Sequence, residues 1–325
     1  MKKRVFSGTR ATGRLHLGNY FGAVKGYIEL SESGEYECIF MAVDLHTITT
    51  PYESRELCES TRNIIIDYLS CGLDPKKAVV TVQSMVPEHA YLAFLFSSVI
   101  SVARMRHLPT FKEKVKQYPE GVTMALLNYP VLMAADILSY NAQLVPVGVD
   151  QEPHLEVARE IAKKMNGIYG TNFCQPKRFK TKGEYIPSLT GEGKMSKSVA
   201  GSYINLTDSG EQIRKKIRKV PTATVVSGEP EGGVKALFDI LKVLDGAEFE
   251  RFIKRYKEDG EFRFVELKDR VSEVIDKELK PIREKRVELE GDRKYVDRVI
   301  EEGVEKAREI AGGIVKDTKK KMGFL

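Results

Sequence analysis

Arg4-Val5-Phe6-Ser7-Gly8-Thr9-Arg10-Ala11-Thr12-Gly13-Arg14-Leu15-His16-Leu17-Gly18-Asn19-Tyr20 opens on a short apolar run, turns through glycines and ends where helical spacing begins. Residues 4–7 fit a strand, and residues 18–31 place Tyr20, Ala23, Val24, Tyr27 and Ile28 on one helical face. Strand, glycine turn and helix in succession form the opening unit of a parallel sheet with crossover helices. Such a turn brings backbone N–H groups and a positive helix end above the sheet, where an anion is stabilised. Gly8 and Gly13 have the spacing of a phosphate-binding loop, but Arg14-Leu15 stand where Lys-Ser or Lys-Thr would follow, and no GxGxxG occurs. By themselves the glycines serve a turn as well as an anion site, and a histidine such as His16 at a helix start caps or packs as readily as it binds.

The alternation continues downstream. Residues 38–43 read as a second strand, 54–71 as a helix closed by Gly72, and 78–83 as a third strand. From about residue 88 to 140 the chain is helical, an insertion between two halves of the sheet. Residues 144–147 form a fourth strand, followed by Asp150 as an N-cap and a helix over 151–165. Beyond a Gly/Ser/Lys-rich loop at 194–202 nearly every window has helical spacing, with Phe238, Leu241, Leu244, Phe249, Phe252 and Tyr256 as a modest separate core. The division is therefore an α/β unit over 1–200, a helical unit over 201–291 and a last charged helix over 292–325, whose partner periodicity does not name.

Composition bounds the function. The chain has 325 residues, 42% hydrophobic and 30% charged, enough for two compact units with buried cores and unlike a disordered or collagenous chain. The formal charge of +6 suits a polyanionic partner without requiring one. Cys38, Cys58, Cys71 and Cys174 show no CxxC spacing, which points to reduced thiols rather than a zinc ribbon or a disulfide framework. Residues 90–103, the longest apolar stretch, are too few for a membrane span and read as a buried helix. Val5 and Phe6 are too short a run for a signal peptide, and these features together place the chain in the cytoplasm without a membrane partner.

A second motif carries chemistry. Lys194-Met195-Ser196-Lys197-Ser198 follows Gly191-Glu192-Gly193, and two lysines three apart in a loop suit a clamp on phosphates. Alone, such a pair is solvated surface in most proteins. Beside His16-Leu17-Gly18-Asn19 it gains meaning: the two segments resemble the HIGH and KMSKS signatures of class I aminoacyl-tRNA synthetases. Phe6 to Tyr20, Asn128 to Tyr140, Val145 to Gln151 and the lysine loop resemble, more closely, the bacterial-type tryptophanyl-tRNA synthetases along essentially the whole chain. The sibling tyrosyl family shares the signatures but not residues 129–138 or 145–151 in this form.

The resemblance implies a Rossmann-like parallel sheet with a helical insertion (88–140), a KMSKS loop (194–198) and a C-terminal helical unit that binds the tRNA anticodon end. It implies an ATP-dependent ligase that makes tryptophanyl-adenylate and pyrophosphate, then esterifies the terminal ribose of tRNA(Trp). Its partners would be L-tryptophan, ATP and tRNA(Trp), with Mg²⁺ accompanying ATP, and the chain would be a homodimer. Catalysis falls to His16, Asn19, Lys114, Lys194 and Lys197. ATP falls to Thr9, Arg10, Gly18, Asn19, Gly148, Asp150, Lys194, Met195, Ser196 and Lys197. Tryptophan falls to Phe6, His46, Tyr129, Met133, Asp136, Val145, Val147 and Gln151, with Tyr129 and Gln151 near its ammonium. Arg10 stands where many relatives have glutamine, which makes that contact ionic, and Val149 replaces a common acidic residue. No cysteine follows Cys174, so neither an iron–sulfur cluster nor zinc is expected.

Asp136 supports the amino-acid assignment on physical grounds. It is the one charged residue between Glu120 and Asp150 and is flanked by Leu132, Met133, Ala134, Ala135, Ile137 and Leu138. A buried carboxylate requires donors. Tryptophan supplies one, the indole N–H, on an otherwise apolar ring; an arginine, a histidine or a helix N-terminus would satisfy Asp136 equally. Arg214-Lys215-Lys216-Ile217-Arg218-Lys219 is a basic face suited either to tRNA phosphates or to solvent. Three rivals share part of the pattern: a tyrosine enzyme, a small adenylyltransferase and a non-catalytic RNA-binding relative.

Overall fold

The computed structural model describes residues 2–180, 185–197, 199–222, 228–258 and 262–325. Five strands, β1 (Lys3–Arg10), β2 (Tyr36–Val43), β3 (Ala78–Val82), β4 (Leu144–Val145) and β5 (Lys177–Arg178), form a parallel sheet in the order β3-β2-β1-β4-β5. Phe6 is opposite Ile39 in the β1–β2 pair, and Val5 is opposite Leu144 in the β1–β4 pair. Chain order reverses between β1 and β4, the place where open α/β sheets bind ligands beyond their strand ends.

The period of two sorts each strand between two cores. Val5, Cys38, Phe40, Ala42 and Val80 face the helices α1 (Leu17–Asn19), α2 (Lys25–Glu32) and α3 (Ser54–Ser70), with a π-helical turn at Tyr20–Val24 joining the first two. Phe6, Ile39, Met41 and Val43 face the inserted helices α4 (Glu88–Phe96), α5 (Val102–Arg106), α6 (Pro109–Gln117) and α7 (Met124–Leu138), together with α8 (Glu152–Tyr169). The apolar stretch at 90–103 is therefore not one helix: α4 stops at Phe96, and α5 starts only after Ser101, whose hydroxyl caps it by accepting from Arg104 N–H.

The remaining helices are α9 (Gly210–Arg218), α10 (Gly232–Leu244), α11 (Gly246–Glu258), α12 (Phe264–Gly291) and α13 (Arg293–Lys321). Phe238 packs edge-on against Phe249 and Tyr256 as the spacing foretold, but this core is not separate. It runs without a break through Ile213, Leu267 and Ile275 into the sheet face under α3.

The structure supplies a partner for the last helix. α13 lies along edge strand β3, with Ala307 and Ala311 in the second core. At Gly303 the contact is so close that an added Cβ would stand 1.9 Å from the Val80 carbonyl oxygen. β1 runs to Arg10 rather than Ser7, and β5 is too short, at two residues, to show any periodicity. Asp150 is not an N-cap: it sits inside a 3₁₀ turn, Val149–Gln151, and α8 begins at Glu152.

Candidate active site

A cavity of about 350 Å³ opens at the carboxyl ends of β1 and β4, within the size range of small-molecule sites. Phe6 comes from β1, His46 from the turn after β2, Tyr129, Met133 and Asp136 from α7, Val145 and Val147 from β4 and its exit, and Gln151 from the turn before α8. All eight residues assigned to the amino acid line it, joined by Arg10 and Lys114. The spacing of Tyr129, Met133 and Asp136 puts all three on one helical face.

Asp136, 1% exposed, forms the polar floor. Its carboxylate lies 2.8 Å from His46 Nε2 and 2.8 Å from His89 Nδ1, and it accepts from Gln83 Nε2 at 2.8 and 2.9 Å. Burial pushes its pKa up, but the hydrogen bonds from His46 and His89 outweigh burial and hold it at about 2. His89 Nε2 is 2.7 Å from Tyr140 Oη, and the Tyr140 ring stacks on Phe6 with centroids 5.5 Å apart. The donors that the sequence left open are thus two histidines and a glutamine. His89 and Gln83 escaped the sequence reading; a histidine directly preceding an apolar stretch was the available signal.

Also in the wall, His154 lies 2.8 Å from Tyr129 Oη, 3.0 Å from Thr110 Oγ1 and 2.9 Å from Gln151 Oε1. Burial, aided by the charge of His46, lowers its pKa to about 4. Arg10 donates from Nη2 to Thr50 Oγ1 at 2.9 Å, while its buried Nε has no hydrogen-bond partner among the described residues. Burial lowers its pKa as well. Lys114 Nζ donates to Gln117 Oε1 at 2.7 Å.

The glycine turn and the lysine loop meet beside this cavity. His16 caps α1 by accepting from Asn19 N–H at 3.2 Å on Nδ1, and Asn19 Oδ1 returns the bond to His16 N–H at 3.1 Å. Antiparallel pairing joins His16 to Asn205, just past the loop. Met195 is buried, and Lys197 Nζ donates to the Thr12 carbonyl at 3.2 Å. Ser196 N–H donates to Ser202 Oγ at 3.2 Å; Ser198 lies outside the described residues. Burial, then the charge of Lys197, lowers the His16 pKa to about 4, and burial lowers that of Lys197 to about 8.

Gly18 and Asn19 lie in α1, but Thr9, assigned to ATP, is turned toward α3, where its Oγ1 accepts from Tyr68 Oη at 2.7 Å. Behind the turn, Asp67 accepts from Leu15 N–H at 2.7 Å and pairs with Arg286 of α12, a buried tie the sequence did not announce. Gly148 makes room for Asp150, since an added Cβ would stand 2.3 Å from Asp150 Oδ1. Asp150 bridges the two halves of the site: Gln151 Nε2 donates to its Oδ2 at 2.8 Å, and Lys194 Nζ is 3.8 Å from the same oxygen.

Comparison with known proteins fits this arrangement. A family model described as class I tRNA synthetases (W and Y) matches residues 1–287, and the chain belongs to that family. Among curated relatives, the tryptophan–tRNA ligase of Rickettsia felis is 39% identical, with 100% of each chain covered. That of Clostridium acetobutylicum is 37% identical over 100% of this chain and 98% of its own. Among solved structures, the Campylobacter jejuni tryptophanyl-tRNA synthetase complexed with ADP and tryptophan superposes with a TM-score of 0.87 at 29% identity, covering 99% of this chain and 100% of that one.

Proposed function

We propose that this chain is a tryptophan–tRNA ligase. The tryptophan carboxylate attacks the α-phosphorus of ATP in line, forming tryptophanyl-adenylate and releasing pyrophosphate; the 3′-terminal ribose hydroxyl of tRNA(Trp) then attacks the acyl carbon, giving the ester and releasing AMP as the mixed-anhydride bond breaks. Transfer at phosphorus is governed mainly by positioning and charge stabilisation, which is what the two apposed motifs offer.

The observation that carries the choice of amino acid is the state of Asp136. An ionised carboxylate offers about four lone-pair sites. Three donor groups on His46, Gln83 and His89 make four contacts to it, Gln83 Nε2 spanning both oxygens, and it lines the cavity together with His46. The indole N–H takes the lone pair that Gln83 Nε2 frees by settling on one oxygen, while Phe6, Met133, Val145 and Val147 take the apolar ring. Tyr129 and Gln151 receive the ammonium. Arg10, with its unpartnered Nε, holds the carboxylate or the α-phosphate.

His16, Gly18 and Asn19 hold the phosphates and adenosine, with Gly148 and Asp150 at the ribose; Thr9, engaged by Tyr68, takes no part. Lys114, Lys194 and Lys197, with Met195 and Ser196 of the same loop, close on the leaving pyrophosphate. Mg²⁺ would neutralise phosphate charge. Among the described residues no cluster of three or more His, Cys, Asp and Glu side chains is built to hold a metal, so the ion would be held chiefly by triphosphate and water.

The catalytic unit is 1–200, the anticodon-binding unit 201–291 and the closing helix 292–325. Arg214 and Lys215 are exposed on α9 and Lys219 just past its end, and they suit tRNA phosphates, whereas Lys216 is engaged by Asp208 and Tyr203 and Arg218 lies 3.7 Å from Asp269. Exposed Phe94, Val102 and Met124 on the insertion support a homodimer. No helix among the described residues is long and apolar enough to cross a membrane. The tRNA substrate puts the enzyme's work in the cytoplasm. ATP–pyrophosphate exchange with each amino acid in turn tests the reading: exchange with tryptophan is expected, and exchange with another amino acid alone, or with none, overturns it.

A further inference from the structure

His154 is a buried histidine, 2% exposed, with both ring nitrogens engaged. Its protonation pattern follows from the outer end of the chain of hydrogen bonds. Gln151 faces the Asp150 carboxylate, which only accepts, so the amide nitrogen lies on that side and the amide oxygen faces His154. That oxygen, 2.9 Å from Nδ1, requires the histidine proton on Nδ1 and leaves Nε2 as an acceptor. Tyr129 Oη, Thr110 Oγ1 and Nε2 then form a triangle with sides of 2.8, 2.8 and 3.0 Å, and the two hydroxyl protons are used inside it.

The phenol proton is therefore held by Thr110 or His154 and is not offered to a ligand. Tyr129 Oη and Gln151 Oε1 are left as acceptors on a wall that also contains Met133 and Val147. A primary ammonium has three donors and no acceptor, so this polarity suits it. The opposite tautomer would present His154 as a donor to Tyr129 and turn the amide nitrogen of Gln151 inward, toward a cation.

We propose that His154 is a positioning residue for recognition of the substrate ammonium: carrying its proton on Nδ1, it sets Gln151 and Tyr129 as a pair of acceptors. The inference rests on the reading of those two residues given above. Burial, which holds the ring neutral, agrees with it.

The test compares two ligands of the full chain by calorimetry: L-tryptophan and indole-3-propionate, which has the same ring and carboxylate but no ammonium. His154→Asn keeps a donor toward Gln151 and removes the acceptor from the triangle. It is expected to weaken tryptophan roughly 10- to 100-fold, the range covered by a lost hydrogen bond to a charged group, while indole-3-propionate changes by less than about twofold. Thr110→Val, which removes one corner of the triangle and leaves the histidine, should act in the same direction more weakly, and it stands as the test should the first variant not fold. Parallel weakening of both ligands, or no weakening of either, overturns the inference. A wild-type chain that binds neither ligand contradicts the tryptophan reading instead. The comparison is then made with tyrosine and 3-(4-hydroxyphenyl)propionate, which differ by the same ammonium and have the same two outcomes.

Discussion

Lys197 Nζ donates to the Thr12 carbonyl at 3.2 Å, so the second lysine of the loop is seated on the glycine turn that opens the fold. Burial brings its pKa down to about 8, against the pull of Asp67. The charged form persists below that value and is lost as pH rises through it. The pyrophosphate-exchange rate should therefore fall on an alkaline limb near pH 8, and Lys197→Arg should move the limb upward. Lys197→Ala should cut adenylate formation on the order of 10²- to 10³-fold, with tryptophan binding almost unchanged; stopped-flow and equilibrium titration separate the two.

Acid should destabilise the chain in two stages. His16 and His154 have folded pKa values of about 4 against an ordinary 6.5. Between those values the unfolded chain binds protons that the native one refuses, so stability falls as pH drops through this window. Asp136, held at about 2, contributes stability that is intact above the ordinary 3.8 and is lost as pH falls toward 2. Urea midpoints from pH 7 to pH 4 should decline, and the double variant His16→Gln, His154→Gln should flatten the slope.

Gly148→Ala would force the Asp150 carboxylate away from Gln151 and Lys194, because the new methyl would occupy the place of Oδ1. The side chain is free to swing outward, so the melting temperature should hold. The KM for ATP should rise about three- to tenfold, matching one modest hydrogen bond, with kcat less affected. Steady-state exchange at varied ATP reads this directly.

Gly303→Ala has no such escape, since the clash is with the backbone of β3. Displacing α13 should cost about 1–3 kcal/mol, the usual range for overpacking, or more, visible as a lower unfolding midpoint. Tryptophan affinity at low temperature should be little changed, because no α13 residue lines the cavity.

Most of the sheet was legible because β1, β2 and β3 are flanked by turn residues and followed by helices of strong period. β5 was not, since Lys177–Arg178 has no apolar residue to mark a face. The amino-acid pocket was readable through its resemblance and through one solitary charge at Asp136. What was hidden was the set of partners that hold Asp136 and Tyr129. Gln83, His89, His154 and Thr110 lie on separate elements, and only the folded chain shows that they converge. Asp67 and Arg286 are 219 positions apart, beyond any local pattern.

The sealing of β3 by α13 bears on how the molecule is born. Every strand among the described residues precedes 293–321 in the chain, so during synthesis the sheet stands with a bare flank until that helix has left the ribosome. In that interval the outer edge of β3 offers its backbone groups to a neighbouring polypeptide.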